Sequence, residues 1–411
     1  MLKIAGNLSK KNMLRSIEIL GKLASIKWHD QGLTAIKEMI ENDHPGIEAV
    51  RRIFQKANPQ TRSALLNNFI LGGFLLGYKK RFAFYKTHGI APPGTLMISP
   101  TLRCNLKCYG CYASTHEHKQ ELSFEEVDTV ITEASAAGTN FILFLGGEPF
   151  MVPWLLDMVE KHPRIAFIIY TNGMLIDDGS VKRLADLGNA AIAIGLDGLE
   201  KETDERKGKG TFKKAMAVMR KLNEAGVMVG FSAMTSQRNF NVLHSDEFYD
   251  TMIENGAGFG WIPIAVPQGS ACQEPDLIPT KEQKAKIGEL IKGLKQRKPI
   301  LIADFLTDAY ITEGCGAGRI MWHINANGDV EPCVLMPFSV DNIREKGFLE
   351  ILQSDFFRRI RGISQSHSKR DQTCMMVYKP KEVLDAVKVC GARETSIGTL
   401  EKLHDMAKHQ S

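Results

Sequence analysis

Three of the chain's eight cysteines, Cys104, Cys108 and Cys111, fall within the stretch TLRCNLKCYGCYA at residues 101–113. Thiolates are soft ligands that suit zinc and iron–sulfur clusters. A structural zinc site closes with four protein ligands. Here no further cysteine or histidine stands at zinc-finger spacing, although His116 and His118 follow closely. A 4Fe–4S cluster on three thiolates keeps one iron without a protein ligand, free to take a small molecule, and such an iron is reactive. The bland alternative is three small apolar core residues that happen to be neighbours. The tight Cys-x3-Cys-x2-Cys spacing speaks against it.

Most of the remaining cysteines lie far downstream: Cys315, Cys333, Cys374 and Cys390. Any one of them taken alone reads as a buried free thiol. Asn327-Gly328 marks a turn between two short strands, with Gly328 five positions before Cys333.

The elements that must position these groups follow from periodicity. Residues 1–94 carry apolar residues at three- and four-residue spacing in SIEILGKLASI, GIEAVRRIF and TRSALLNNFILGGFLL, which predicts a helical region ending at Pro92, Pro93 and Gly94. From residue 95, short apolar runs alternate with amphipathic helices. The predicted strands are 95–99, 141–147, 165–173, 190–198, 228–235 and 259–264. Ser123 and Glu126 form a capping box at the start of one intervening helix. Strands alternating with helices predict parallel βα units, hence an α/β fold built on a partial (βα)6 barrel over residues 95–305. The alternation fades after the helix at 280–298, so 306–411 reads as a small separate appendage. The three-cysteine loop directly follows the first strand, at the carboxyl ends where parallel barrels keep their chemistry.

Hydrophobic content of 44% and charged content of 24% exclude a disordered, collagenous or polytopic membrane protein. A net charge of +5 is too small to argue for nucleic acid. The N-terminus lacks an apolar stretch followed by a small-residue cleavage site, which points to a cytoplasmic protein, where clustered cysteines are metal ligands or catalysts and not disulfides. The run ALLNNFILGGFLLGY at 64–78, interrupted by Asn67 and Asn68, is too short and too polar to span a bilayer. It leads into Lys79, Lys80, Arg81 and Lys86 interleaved with Phe82, Phe84 and Tyr85. This reads as a core helix with a solvated end, or as a peripheral membrane contact over 64–86.

The cysteine loop resembles the signature of the radical S-adenosylmethionine (radical SAM) superfamily, Cys-x3-Cys-x-aromatic-Cys. The resemblance implies that Cys104, Cys108 and Cys111 hold a 4Fe–4S cluster whose open iron chelates SAM, and that an electron from it releases a 5′-deoxyadenosyl radical. One departure stands out: Gly110 precedes the third cysteine, with Tyr109 and Tyr112 on either side, so the source of the adenine contact is open. LGGEPF matches the superfamily's GGE-P motif, implying that Gly146, Gly147, Glu148 and Pro149 meet the methionine end of SAM. YTNG and GLDG put Thr171, Asn172 and Asp197 at the pocket rim, and FSAMTSQRN offers Ser232 or Arg238 to the ribose or the SAM carboxylate.

The hairpin before Cys333 resembles that of the SPASM or twitch domains. That likeness implies a second, auxiliary 4Fe–4S cluster on Cys315, Cys333, Cys374 and Cys390, in a twitch-like arrangement. Cys272 reads as a core thiol, a substitute ligand or a hydrogen donor to a substrate radical. The reaction expected is hydrogen abstraction from an unactivated carbon, fed by an electron donor such as ferredoxin or flavodoxin. A weaker likeness to the tetraether-lipid synthases makes a lipid chain the expected substrate. The alternatives are a maturase of ribosomal peptides, which would usually carry an N-terminal winged helix with a small three-stranded sheet, and a zinc-binding scaffold without catalysis.

Overall fold

The computed structural model describes residues 9–24, 27–116, 119–304, 307–308, 314–365 and 374–408. Seven parallel strands form its centre: β1 (Thr95–Ile98), β2 (Phe141–Phe144), β3 (Ala166–Thr171), β4 (Ala190–Leu196), β5 (Val229–Ala233), β6 (Phe259–Ile262) and β7 (Leu301–Asp304). The C-terminal part adds β8 (Met321–Ile324), β9 (Asp329–Glu331), β10 (Phe338–Ser339), β11 (Asp341–Asn342) and β12 (Arg393–Glu394). Among the described residues the main sheet runs β11-β9-β8-β1-β2-β3-β4-β5-β6-β7 and does not close on itself.

Parallel strands covered on both faces carry continuous apolar runs. In β4 every residue but Gly195 is buried. The helix Phe124–Ala137, started by the Ser123/Glu126 capping box, turns Val127, Val130, Ile131 and Ala134 onto the sheet at three- and four-residue spacing. Phe144 and Phe167 stack between neighbouring strands with ring centroids 5.8 Å apart.

The N-terminal helices close the opposite end of the sheet from the cysteine loop. Asn58 Nδ2 donates to the carbonyls of Ala185 and Ala225, just before β4 and β5. Asn68 Nδ2 donates to Pro163 and Ile165, before β3. Arg52 donates to Ile253 and Pro299, before β6 and β7. The apolar run of 64–78 includes a π-helical segment, Leu65–Leu76, and Phe69 meets Phe141 edge-on at 4.8 Å. Asn68, Phe69 and Gly73 of that run lie against the sheet. Leu76, Phe82 and Tyr85 remain exposed. Among the described residues no helix is long and apolar enough to cross a membrane.

The six expected strands all form, and two departures follow from the sheet. β7 continues the parallel order beyond β6; four residues with an exposed Leu301 give too short a pattern to read. The C-terminal part is not detached, because β8 pairs in parallel with β1 from Thr95↔Met321 to Ile98↔Ile324. A polar residue inside a short apolar run hides such a strand in sequence. Here His323 interrupts MWHI, yet β8 is almost wholly buried.

Candidate active site

The carboxyl ends of β1 to β4 converge on the cysteine loop. The chain leaving β1 crosses directly over the turn that follows β2. Gly147 N–H donates to Thr101 O (2.9 Å), and Glu148 N–H donates to Arg103 O (2.8 Å). At Gly147 a methyl would lie 2.6 Å from Leu102 O and collide with Arg103 O; at Gly146, where φ is +113°, it would lie 2.6 Å from Thr101 O. The two glycines are therefore required by the close passage of the cysteine loop itself. The Tyr112 hydroxyl fixes the far side of the loop, accepting from Gly146 N–H (3.2 Å) and donating to Gly146 O (3.3 Å).

Glu148 is fully buried and ties β2 to β3. Its carboxylate accepts from Phe150 N–H (3.0 Å), Thr171 Oγ1 (2.8 Å) and Asn172 N–H (2.8 Å). Burial pushes its carboxyl above the usual range, while these hydrogen bonds and the Lys207 charge act the other way. Pro149 is buried at the start of the short turn Pro149–Met151 that follows. The Asn172 amide reaches back to the loop, donating to Asn105 Oδ1 at 2.8 Å and approaching Cys104 Sγ at 3.8 Å.

Asp197, at the end of β4, is buried in an ion pair with Arg206 (2.9 Å) and Lys207 (3.4 Å). Burial works against its charge, but the two cations hold its carboxyl below the ordinary value. Arg206 also donates to Tyr109 O (3.0 Å) and Gly110 O (3.5 Å), clamping the loop between Cys108 and Cys111. Burial raises the Cys108 thiol, and Lys207 and Arg206 pull it the other way, so thiolate charge at this site meets two cations. Arg238 lies over the Tyr109 ring, 4.7 Å from its centroid, and pairs with Asp276 (2.6 Å) and Glu274 (3.1 Å). Ser232 sits in β5 opposite Gly195 of β4 and Trp261 of β6.

Arg206, Lys207 and Asn105 are the members the sequence did not single out. Arg206 and Lys207 end a helix, EKETDERK, that reads as a solvated charged face. Their one signal is position, directly after the GLDG turn. His118 and the side chain of Cys272 lie outside the described residues; His116 is buried with its ring edge-on to Tyr112.

In the C-terminal part, Cys333 is buried in an apolar cluster with Met336, Phe338, Phe356 and Ile360, and Cys315, Cys374 and Cys390 pack against that cluster. Burial raises the Cys333 thiol, with Cys315 and Cys374 near enough to add to the rise, and burial with Cys315 pushes Cys374 up to about 12. Cys374 caps the helix Met375–Tyr378, and Cys390 ends the helix Pro380–Cys390.

Each of these seven cysteines is a free thiol. Among the described residues no three His, Cys, Asp or Glu side chains are drawn around one point as a lone metal ion would need, so the fit to a cluster rests on the donor set. Cys104, Cys108 and Cys111 share one short loop, and in the C-terminal part four cysteines pack in or against one apolar cluster, where bare thiolate charge would be costly unless a cationic iron core balanced it.

The chain matches the family model described as the radical SAM superfamily over residues 98–250, and that of an iron–sulfur cluster-binding domain, SPASM, over 315–376. It is 29% identical to the sporulation killing factor maturation protein SkfB of Bacillus subtilis (strain 168), over 62% of this chain and 65% of that protein. It is 35% identical to the Fe-coproporphyrin III synthase of Methanosarcina barkeri, over 61% of this chain and 71% of that one. Among solved structures it is similar to SuiB of Streptococcus suis bound to its precursor peptide SuiA, with a TM-score of 0.57, 21% identity and coverage of 70% and 71%. That likeness supports the fold, and the chain spans just under two thirds of SkfB's length. The three-cysteine loop braced by the GGE turn, together with these matches, makes the chain a member of the radical SAM superfamily with a C-terminal SPASM domain and, with it, a 4Fe–4S, SAM-binding protein.

Proposed function

We propose that this protein is a radical SAM enzyme acting on a peptide. The observation that carries the reading is the bracing of the cysteine loop. Gly147 and Glu148 hold its start, Tyr112 its end, and Arg206 its middle. Such preorganisation serves a site that must hold three thiolates at fixed spacing. Cys104, Cys108 and Cys111 would hold the SAM-binding cluster, which, when bound, supplies the means to cleave SAM reductively and abstract hydrogen from carbon. Cys315, Cys333, Cys374 and Cys390 remain our candidates for the auxiliary cluster. For the SAM contacts we retain Gly146, Gly147, Glu148, Pro149, Thr171, Asn172, Asp197, Ser232 and Arg238. Glu148 acts by joining the GGE turn to Thr171 and Asn172. Asp197 acts by holding Arg206 and Lys207, and Arg238 through Tyr109.

The peptide reading is supported by relatives whose names describe a maturation protein and a complex with a precursor peptide. It replaces the lipid chain that the weaker likeness suggested; Asn68, Phe69 and Gly73 of the 64–78 run lie against the sheet, while Leu76, Phe82 and Tyr85 are exposed in the segment that carries Lys79, Lys80 and Lys86. Among the described residues the chain before β1 is helical. A tetrapyrrole substrate is the second reading, favoured by the 35% identity to a coproporphyrin-forming enzyme. A low-potential donor of the ferredoxin or flavodoxin kind would feed the cluster.

Anaerobically reconstituted protein given SAM and dithionite should release 5′-deoxyadenosine, detected by mass spectrometry. Protein isolated without air should carry a peptide, recovered by mass spectrometry; a co-purified porphyrin with its intense visible absorption would turn the choice to the second reading.

A further inference from the structure

Away from the ligand residues, three buried polar side chains stand in line across the joint between the two domains. Ser99 Oγ lies 2.7 Å from His323 Nε2, and His323 Nδ1 lies 2.6 Å from Glu331 Oε2. The other Glu331 oxygen accepts from Asn325 Nδ2 (2.8 Å) and Thr395 Oγ1 (2.6 Å). Ser99 and His323 are 1% exposed and Glu331 is 0% exposed. Serine, histidine and carboxylate in that order have the form of an acyl-transfer triad. This one is sealed inside the sheet, so Ser99 meets no substrate and is not a nucleophile.

A buried ionisable pair gains little stability over an apolar replacement of the same shape. Its placement offers a better account. Ser99 follows β1 and precedes Cys104 by five residues. It packs directly against Gly146, where an added methyl would come within 2.9 Å of Ser99 Cβ. The Tyr112 hydroxyl is bonded to both backbone groups of that same Gly146. At the other end, Glu331 stands two residues before Cys333. His323 lies on β8, opposite Met97 of β1, and Ser99 N–H donates to Ile324 O at 2.8 Å. By way of Gly146, a line of contacts thus runs from the residue after Cys111 through Ser99 and His323 to the residue two before Cys333.

We propose that His323 is a positioning residue for the SAM site: held by Glu331, it fixes Ser99 against Gly146, the residue that the Tyr112 hydroxyl also holds, so that the SPASM domain sets how the cysteine loop meets the GGE turn. The proposal rests on the radical SAM reading of Cys104, Cys108 and Cys111. It assigns no chemical step to His323. Its effect is geometric, exerted on the backbone that carries the third cysteine and the first glycine of the motif.

The test uses the full chain, reconstituted anaerobically, with iron and sulfide counted and SAM titrated against the electron paramagnetic resonance (EPR) spectrum of the reduced protein. Ser99→Ala and Tyr112→Phe each delete one hydroxyl from the line. Both should keep the wild-type iron content yet need roughly three- to tenfold more SAM for the same spectral change, the scale of one lost hydrogen bond. His323→Leu should show the larger shift, and His323→Gln, whose amide both donates and accepts, should restore part of it. Should His323→Leu fail to fold, the two hydroxyl deletions decide the matter. SAM titrations that superimpose on wild type in both, at full iron content, overturn the proposal alone. A wild-type spectrum that does not respond to SAM overturns the site reading and the proposal together.

Discussion

Gly147 has no room for a methyl group, because the carbonyls of Leu102 and Arg103 pass across its Cα. Replacing it by alanine would push the cysteine loop away from β2. Gly147→Ala should therefore lose about four irons per chain while keeping those of the auxiliary site, as read by iron and sulfide analysis of the reconstituted protein. Asp197 tests the opposite kind of constraint, a charge that two cations require. Asp197→Asn strands Arg206 and Lys207 in a buried setting and should cost about 3–5 kcal/mol in denaturant unfolding. Because the folded carboxyl is held below its ordinary value, its contribution is complete above about pH 4. It is lost as the pH falls through the lowered folded value, so wild type and variant should converge in stability only in acid. The residue types were legible beforehand, since Glu148, Thr171, Asn172 and Asp197 stand at successive strand ends. Their partners were not: nothing in the GLDG turn announces that Asp197 pairs with Arg206 and Lys207.

Elements carry the next level of constraint. The helix Glu200–Lys207 has an almost wholly charged sequence, and from periodicity alone it belongs to solvent. Its last turn nevertheless delivers Arg206 into the loop, where one guanidinium serves Asp197, Tyr109 O and Gly110 O at once. Lysine lacks the fork to serve all three. Arg206→Lys should lower stability by about 1–3 kcal/mol in denaturant unfolding. The pairing of β8 with β1 is equally hidden, because a parallel partner more than 200 residues away leaves no local trace. A chain ending at Asp304 would bare the β1 edge that feeds the cysteine loop. Unpaired edges invite association between chains, so this truncation should elute as aggregate in size-exclusion chromatography.

At the scale of the whole molecule the sheet has two differently employed ends. Its carboxyl end bears the cysteine loop, and its amino end is stitched to the N-terminal helices by Arg52, Asn58 and Asn68. Asn58 both starts a helix, accepting from Thr61 N–H at 2.8 Å, and joins two strand approaches. Asn58→Ala should destabilise the protein by about 1–3 kcal/mol in denaturant unfolding. Its iron content should stay at the wild-type value, since the two ends are separated by the length of the strands. Over 64–86 the helices divide between two surroundings, since Asn68 and Phe69 meet the underside of the sheet while Leu76, Phe82 and Tyr85 are exposed, a division that a local apolar pattern does not reveal.

Sequence by itself determined what depends on local spacing: the three-thiol loop, the six alternating strands, the Ser123/Glu126 cap and the hairpin before Cys333. Periodicity and ligand spacing are properties of short stretches, and short stretches can be read in one dimension. Tertiary structure alone decided which partners meet. It set Arg206 on the loop, the GGE glycines under Arg103, β8 beside β1, and His323 between Ser99 and Glu331. Those contacts join residues far apart in the chain, and their geometry exists only once the sheet has fixed its strand order.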